Sequence, residues 1–314
     1  MPRGGRLGPR VAAVAALACA LLPAAAAADH RETFLVSRGD DSGVSPRGAG
    51  YLSATGDGSR VYFATQDVLA PEDQDANTDI YARRGAVTEL VSAADPGVDG
   101  GRGTGGVSFG SATADGSRVF FITKENLTHE DSDFSGGDDV YLRDGDETKL
   151  VSRSTAPGFG FALFQWCGTT DDGGRAFFRT TKGLAANDFD NAFDVYAYTT
   201  ATNSLELVSV SSTGQNPGGA ASCAGFTSDG TTTYFSSPDR LHASDTDSLE
   251  DVYARSGGTT TLVTADTPGA AANAKSVSAD GQHVIFESTE RLVPEDVDDQ
   301  KDVYERTMER KGEA

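Results

Sequence analysis

The sequence predicts an all-β protein built from five copies of a four-stranded unit, and three observations predict it. The dipeptide Asp-Gly recurs at Asp57, Asp115, Asp172, Asp229 and Asp280, at spacings of 58, 57, 57 and 51 residues. Each copy is followed by an apolar triplet and then by Asp-Ile-Tyr or Asp-Val-Tyr. Beyond the N-terminal 28 residues, no stretch has helical periodicity over 11 or more positions. A fixed period of this length decides the architecture before any local feature does.

The first strand of each unit is a small-residue segment such as Tyr51-Leu52-Ser53 or Ser222-Cys223-Ala224. Asp-Gly then marks a hairpin, because both residues tolerate positive φ. The second strand carries the triplets Val61-Tyr62-Phe63, Val119-Phe120-Phe121, Ala176-Phe177-Phe178, Thr233-Tyr234-Phe235 and Val284-Ile285-Phe286. These are apolar on both faces, as expected of a strand covered on both sides. The third strand ends its motif at Tyr81, Tyr141, Tyr196, Tyr253 and Tyr304. The fourth is Leu-Val-Ser/Thr, starting at Leu90, Leu150, Leu207 and Leu262. Four-stranded units at a regular period without helices indicate a β-propeller.

The fifth unit has no Leu-Val-Ser after Tyr304, but Leu35-Val36-Ser37 stands near the N-terminus without a unit of its own. The expectation is therefore a five-bladed propeller in which residues 33–37 supply the outer strand of the last blade and close the ring, since an open edge exposes unpaired backbone groups. A six-bladed propeller or a fragment of a larger one is the alternative. Residues 1–28 read as a secretory signal: Arg3, Arg6 and Arg10, an apolar run from Val11 to Leu22, and an alanine tract before Asp29. Residues 29–314 form one domain, expected to be secreted or periplasmic and monomeric, with no membrane span after signal cleavage.

With 47 acidic against 26 basic residues and a net charge of -21, the chain is unsuited to nucleic acid or anionic membranes. The repeat, for example Ser278-Ala279-Asp280-Gly281 followed by Val284-Ile285-Phe286 and Asp302-Val303-Tyr304, resembles the WD-like repeats of TolB-like bacterial propeller proteins. That resemblance spans about Thr33 to Arg306 and implies a periplasmic or secreted propeller acting mostly through protein contacts. The family usually has six blades, whereas five are counted here.

The sharpest repeated polar feature lies between the second and third strands: Asp73, Asp75 and Asp79; Asp131, Asp133 and Asp139; Asp188, Asp190 and Asp194; Asp245, Asp247 and Asp251; Asp296, Asp298 and Asp302. Two readings stand. These aspartates cap turns by bonding backbone amides, or at least one set binds Ca²⁺ weakly, no other cofactor being expected. None is an EF-hand loop, for the glycine at position six is missing. The fifth loop has the densest acidic set, since Glu295 and Asp299 join it.

Topology puts these loops on the same face as the long Gly- and Pro-rich connectors between units, so a protein or cell-envelope partner is expected there. The innermost strands carry no Asp or Glu, which disfavours a glycosidase with central carboxylates; a glycan hydrolase using loop-face aspartates remains the alternative. Gly106-Val107-Ser108-Phe109-Gly110 matches the nucleophile-elbow pattern but precedes a hairpin instead of a helix. Cys167 and Cys223 lie on innermost strands of consecutive units. Secretion favours a disulfide between them, while an offset of one residue relative to Asp-Gly opposes it unless a bulge intervenes.

Overall fold

The computed structural model describes residues 33–40, 46–98, 105–131, 137–154, 162–265 and 269–308. The chain divides into two compact units, Met1–Leu35 and Val36–Ala314. Of the first, only Thr33, Phe34 and Leu35 are described, and they lie outside any strand. The signal segment expected at 1–28 falls outside the described residues.

The second unit is all-β. Blade 1 consists of β1 (Gly50–Ala54), β2 (Arg60–Thr65), β3 (Asp79–Arg84) and β4 (Val87–Leu90). Blade 2 consists of β5 (Ser108–Ala112), β6 (Arg118–Thr123), β7 (Asp139–Asp144) and β8 (Glu147–Leu150). Blade 3 contains β9 (Phe164–Thr169), β10 (Arg175–Thr180), β11 (Asp194–Thr199) and β12 (Ser204–Leu207), and blade 4 contains β13 (Ser222–Phe226), β14 (Thr232–Ser237), β15 (Asp251–Ser256) and β16 (Thr259–Leu262). Blade 5 has β17 (Asn273–Val277), β18 (His283–Ser288) and β19 (Asp302–Thr307). Every sheet is antiparallel with its strands in chain order. This is the repeated-blade construction of a β-propeller.

The core lies between blades. Tyr62 and Ile80 of blade 1 pack with Phe121 and Tyr141 of blade 2, and Phe120 and Leu142 of blade 2 pack with Phe178 and Tyr196 of blade 3. Within each blade the aromatic triplet stacks on the motif tyrosine, from Phe63–Tyr81 to Phe286–Tyr304, with ring centroids 5.7 to 5.9 Å apart. Burial of these rings supplies the apolar area that offsets chain entropy.

The hairpins differ from their expected form. In each, only the glycine takes positive φ, from 64° to 72°. The aspartate instead accepts two bonds inside the turn: Asp57 Oδ1 receives the Thr55 hydroxyl at 2.7 Å and the Ser59 amide at 3.0 Å. The same exposed arrangement holds Asp57, Asp115 and Asp229 down at about 2, chiefly through hydrogen bonds to the carboxylate. The glycine also touches the blade before it: a Cβ on Gly173 would lie 2.7 Å from Thr113 Cγ2. Arg118 of blade 2 bonds the Asp172 carbonyl at 2.7 Å, and Arg175 bonds Gly230 at 2.8 Å, so hairpins are clamped from blade to blade.

The expected closing strand is not seen among the described residues. The fifth sheet has three strands, and no described strand stands beyond β19. Val303 is 68% exposed, where its equivalents Ile80, Val140, Val195 and Val252 are fully buried. At the other end, a Cβ on Gly58 would meet nothing within 4 Å. Val36–Arg38 nevertheless sits on blade 1 as its repeat equivalents sit on later blades. Thr88 donates to the Arg38 carbonyl at 2.6 Å, just as Thr148 donates to Ala93 and Thr260 to Val210. Val36 packs against Phe63 and Tyr81. Arg83 also reaches the Arg38 carbonyl and Asp40, and the Thr88 amide donates to Asp40 at 2.7 Å, so the segment is held on blade 1, and among the described residues no ladder joins it to β19.

Candidate functional site

The β2–β3 loop and its counterparts follow one hydrogen-bonding scheme. The first aspartate accepts the motif tyrosine hydroxyl on Oδ2, in pairs Tyr81–Asp73, Tyr141–Asp131, Tyr196–Asp188, Tyr253–Asp245 and Tyr304–Asp296. Its Oδ1 accepts the amide two residues on, as Asp75 N to Asp73 at 3.1 Å. The second aspartate repeats this, Asn77 N to Asp75 at 2.6 Å and Ala192 N to Asp190 at 2.6 Å. The third receives the hydroxyl of the Leu-Val-Ser/Thr segment: Ser92 to Asp79 at 2.7 Å, Ser209 to Asp194 at 2.6 Å and Thr264 to Asp251 at 2.5 Å. These are Asx-type turns that tie each loop to its own blade.

Four of the five sets converge. In blades 1, 3, 4 and 5 one carboxylate oxygen from each of the three aspartates lies within 4.8 Å of the others. Asp133 of blade 2 lies outside the described residues. The fifth set is the exposed one: Asp298 and Asp302 face water, and Arg291 takes up Asp299 at 3.0 Å. High acidic density in the sequence did not make a buried site there.

In three blades an aspartate loop also faces a residue of the following blade. For blade 1 this is Glu125, hydrogen-bonded to Asn77 at 2.8 Å; for blade 2 it is Lys182, whose ammonium is 3.1 Å from Asp139. For blade 3 it is Asp239, close enough for Asp190 to raise its pKa. Burial dominates the ionisation here. It pushes Asp79 and Asp194 up to about 7, Asp251 to about 6 and Glu125 to about 8, with neighbouring aspartates adding to the rise. Burial likewise raises the motif tyrosines Tyr81, Tyr141, Tyr196 and Tyr253, so they stay protonated donors.

Two cavities confirm that loops and connectors share a face. One of about 370 Å³ is lined by Asp73, Asp75, Asp79, Ser92, Asp95 and Glu125. The other, about 460 Å³, brings Asn187 and Phe189 against Gly214, Gln215, Asn216 and Pro217. Between the paired aspartates the side chain points outward: Gln74, Phe189, Thr246 and Val297 are all exposed, Phe189 to 87%.

Ser108 opens β5 and runs into a hairpin, so the elbow motif has no helix to follow it. Trp166 packs on Phe120 of the preceding blade with centroids 5.3 Å apart. His283 pairs with Glu305 at 2.6 Å on an exposed strand. Cys167 and Cys223 are joined as a disulfide, with Cα atoms 6.1 Å apart. The offset between them is absorbed by register shifts, at Cys167 on β9 and at Ala224 on β13. Sequence reasoning missed Glu125, Lys182 and Asp239, because each acts on the motif of a different blade.

No family model matches the chain, and no curated protein matches it. Among solved structures it is similar to TolB from Acinetobacter baumannii, at 16% identity and a TM-score of 0.36, over 79% of this chain and 50% of that one. The β-propeller domain of the Trilobed protease from Pyrococcus furiosus is matched at 9% identity and a TM-score of 0.44, over 82% and 69% of the two chains. An oligogalacturonate lyase in complex with manganese is matched at 12% identity and a TM-score of 0.32, over 85% and 79%. The chain spans about half the length of the TolB chain. Among the described residues no helix is long and apolar enough to cross a membrane.

Proposed function

We propose that the chain is a non-enzymatic binding scaffold of the extracytoplasmic space that holds a protein or cell-envelope partner on its loop face. The observation that carries this reading is the division of labour in the loops. The aspartates flanking each outward side chain are tied to turn amides and the motif tyrosine, and the residue between them is left to solvent. An exposed phenylalanine on a clamped loop is a contact residue held in place beforehand, and aromatic anchors of this kind concentrate interface energy.

The test is photo-crosslinking from position 189 on the cell-surface or periplasmic chain, with position 146 in the opposite-face hairpin as control. Crosslinked partners from 189 and none from 146 are expected; equal labelling from both positions would refute a loop-face site.

One observation favours a hydrolytic reading. Glu125, pushed up to about 8, stands in the same cavity as Asp73 and Asp75, a protonated acid beside other carboxylates. Turnover of any glycan in a polysaccharide panel, abolished by Glu125→Gln, would replace the scaffold reading.

A further inference from the structure

Blade 3 differs from its neighbours in one respect. Asp194 is fully buried, and while its Oδ1 accepts the Ser209 hydroxyl at 2.6 Å, its Oδ2 has no hydrogen-bond partner. An orphaned buried carboxylate oxygen is costly, because the group has given up water without replacement. The Asn216 amide stands beside this carboxylate without meeting hydrogen-bond geometry, and both its Oδ1 and its Nδ2 are buried and unpartnered. Oxygens from Asp188 and Asp190 lie within 4.8 Å of one from Asp194. Asp190 leans on the connector as well, its Oδ2 lying 3.2 Å from where a Cβ on Gly218 would stand.

The neighbouring blade shows what such a pocket needs. In blade 2 the ammonium of Lys182 reaches the equivalent buried aspartate, Asp139, at 3.1 Å. In blade 3 the corresponding residue of the next blade is Asp239, a carboxyl in place of an ammonium. One blade carries its counter-ion covalently, and the other gathers oxygens around a position where one would fit.

We propose that Asp188, Asp190 and Asp194, together with the Asn216 side chain, form a divalent-cation site of the calcium class in blade 3. An all-oxygen set of carboxylates and an amide carbonyl suits a hard cation and offers nothing to a thiophilic one. Bound there, the ion joins the Asp188–Asp194 loop, which carries Phe189, to the Gly214–Gly218 connector across the cavity they share. This goes beyond the scaffold reading and does not depend on it. Few charged ligands per loop place the affinity at about 10⁻⁴ to 10⁻³ M, the range of extracellular modules.

The test uses the purified full chain, stripped with chelator, in calorimetric titration with CaCl₂ and in thermal unfolding with CaCl₂, MgCl₂ and NaCl at matched ionic strength. A calcium-specific rise in melting temperature is expected, since an ion binding only the folded state stabilises it by mass action. Asn216→Ala, on a half-buried connector, should weaken Ca²⁺ binding by about tenfold or more. Asp194→Asn should abolish the calcium-specific shift, and Asp298→Ala in the exposed fifth loop should preserve it. Equal shifts in all three salts would overturn the proposal. So would a calcium-specific shift that survives Asn216→Ala and Asp194→Asn.

Discussion

Replacing Gly173 with alanine separates two costs that a glycine hairpin combines. The backbone at Gly173 has φ of 64° and that at Gly58 has 68°, so alanine meets the same left-handed strain at both, about 1 to 2 kcal/mol. Their surroundings differ. A Cβ on Gly173 would stand 2.7 Å from Thr113 Cγ2 and 3.0 Å from Arg118 Cδ, while at Gly58 there is open space. Overpacking of that kind costs a further 1 to 3 kcal/mol or so. Gly58→Ala is thus expected to lose about 1 to 2 kcal/mol, and Gly173→Ala about 2 to 5. The assay is equilibrium denaturation followed by Trp166 fluorescence, with circular dichroism as a second probe of two-state behaviour. A Gly173→Ala loss no larger than a small Gly58→Ala loss would refute blade-to-blade packing through the hairpins. If Gly58→Ala instead cost as much as an undiminished Gly173→Ala, the Gly58 hairpin would be covered in solution, and the open first blade described above would be wrong.

Reducing the Cys167–Cys223 bond, which spans 56 residues, should cost about 4 kcal/mol on the chain-entropy account; a melt unaffected by dithiothreitol would remove the bond from the stability of the domain. In the metal-free protein, stability should rise as pH falls from 8 to 5. The raised carboxyls Asp79, Asp194, Asp251 and Glu125 bind protons when folded that the unfolded chain does not hold until below pH about 4 to 5. The lowered hairpin aspartates act in the opposite sense only below that window, so a stability that instead fell steadily from pH 8 to 5 would contradict the burial of these groups. Lys182→Met leaves Asp139 buried without its ammonium and should cost about 3 to 5 kcal/mol at pH 8 by denaturant titration, an unchanged midpoint arguing against the pair. Starting the chain at Gly39 removes the Arg38 carbonyl and Val36 from blade 1 and should cost about 2 to 4 kcal/mol. An unaltered melt would show that the segment contributes nothing.

The repeat was legible because its signals are local. Asp-Gly, the aromatic triplet and Asp-Val-Tyr each specify their own strand or turn, and β2, β6, β10, β14 and β18 each begin one residue before their triplet. What could not be read is what one blade does to the next. The sequence treats Asp194 and Asp302 alike, yet one is fully buried and the other faces water, because burial is supplied by an adjacent blade and not by the motif. Glu125 and Lys182, an acid and a base, occupy one repeat position, and only their closeness to Asp79 and Asp139 gives that difference meaning. The Cys167–Cys223 pairing turned on bulges, which cost one residue of register and leave no mark in composition.

The side chain between each pair of aspartates faces solvent: Gln74, Phe189, Thr246 and Val297 differ in size and polarity on one unchanged turn. Substitutions at these positions are therefore expected to change stability by no more than about 0.5 kcal/mol, which is what a display library requires. Randomising them together would present a new exposed surface on an unaltered frame.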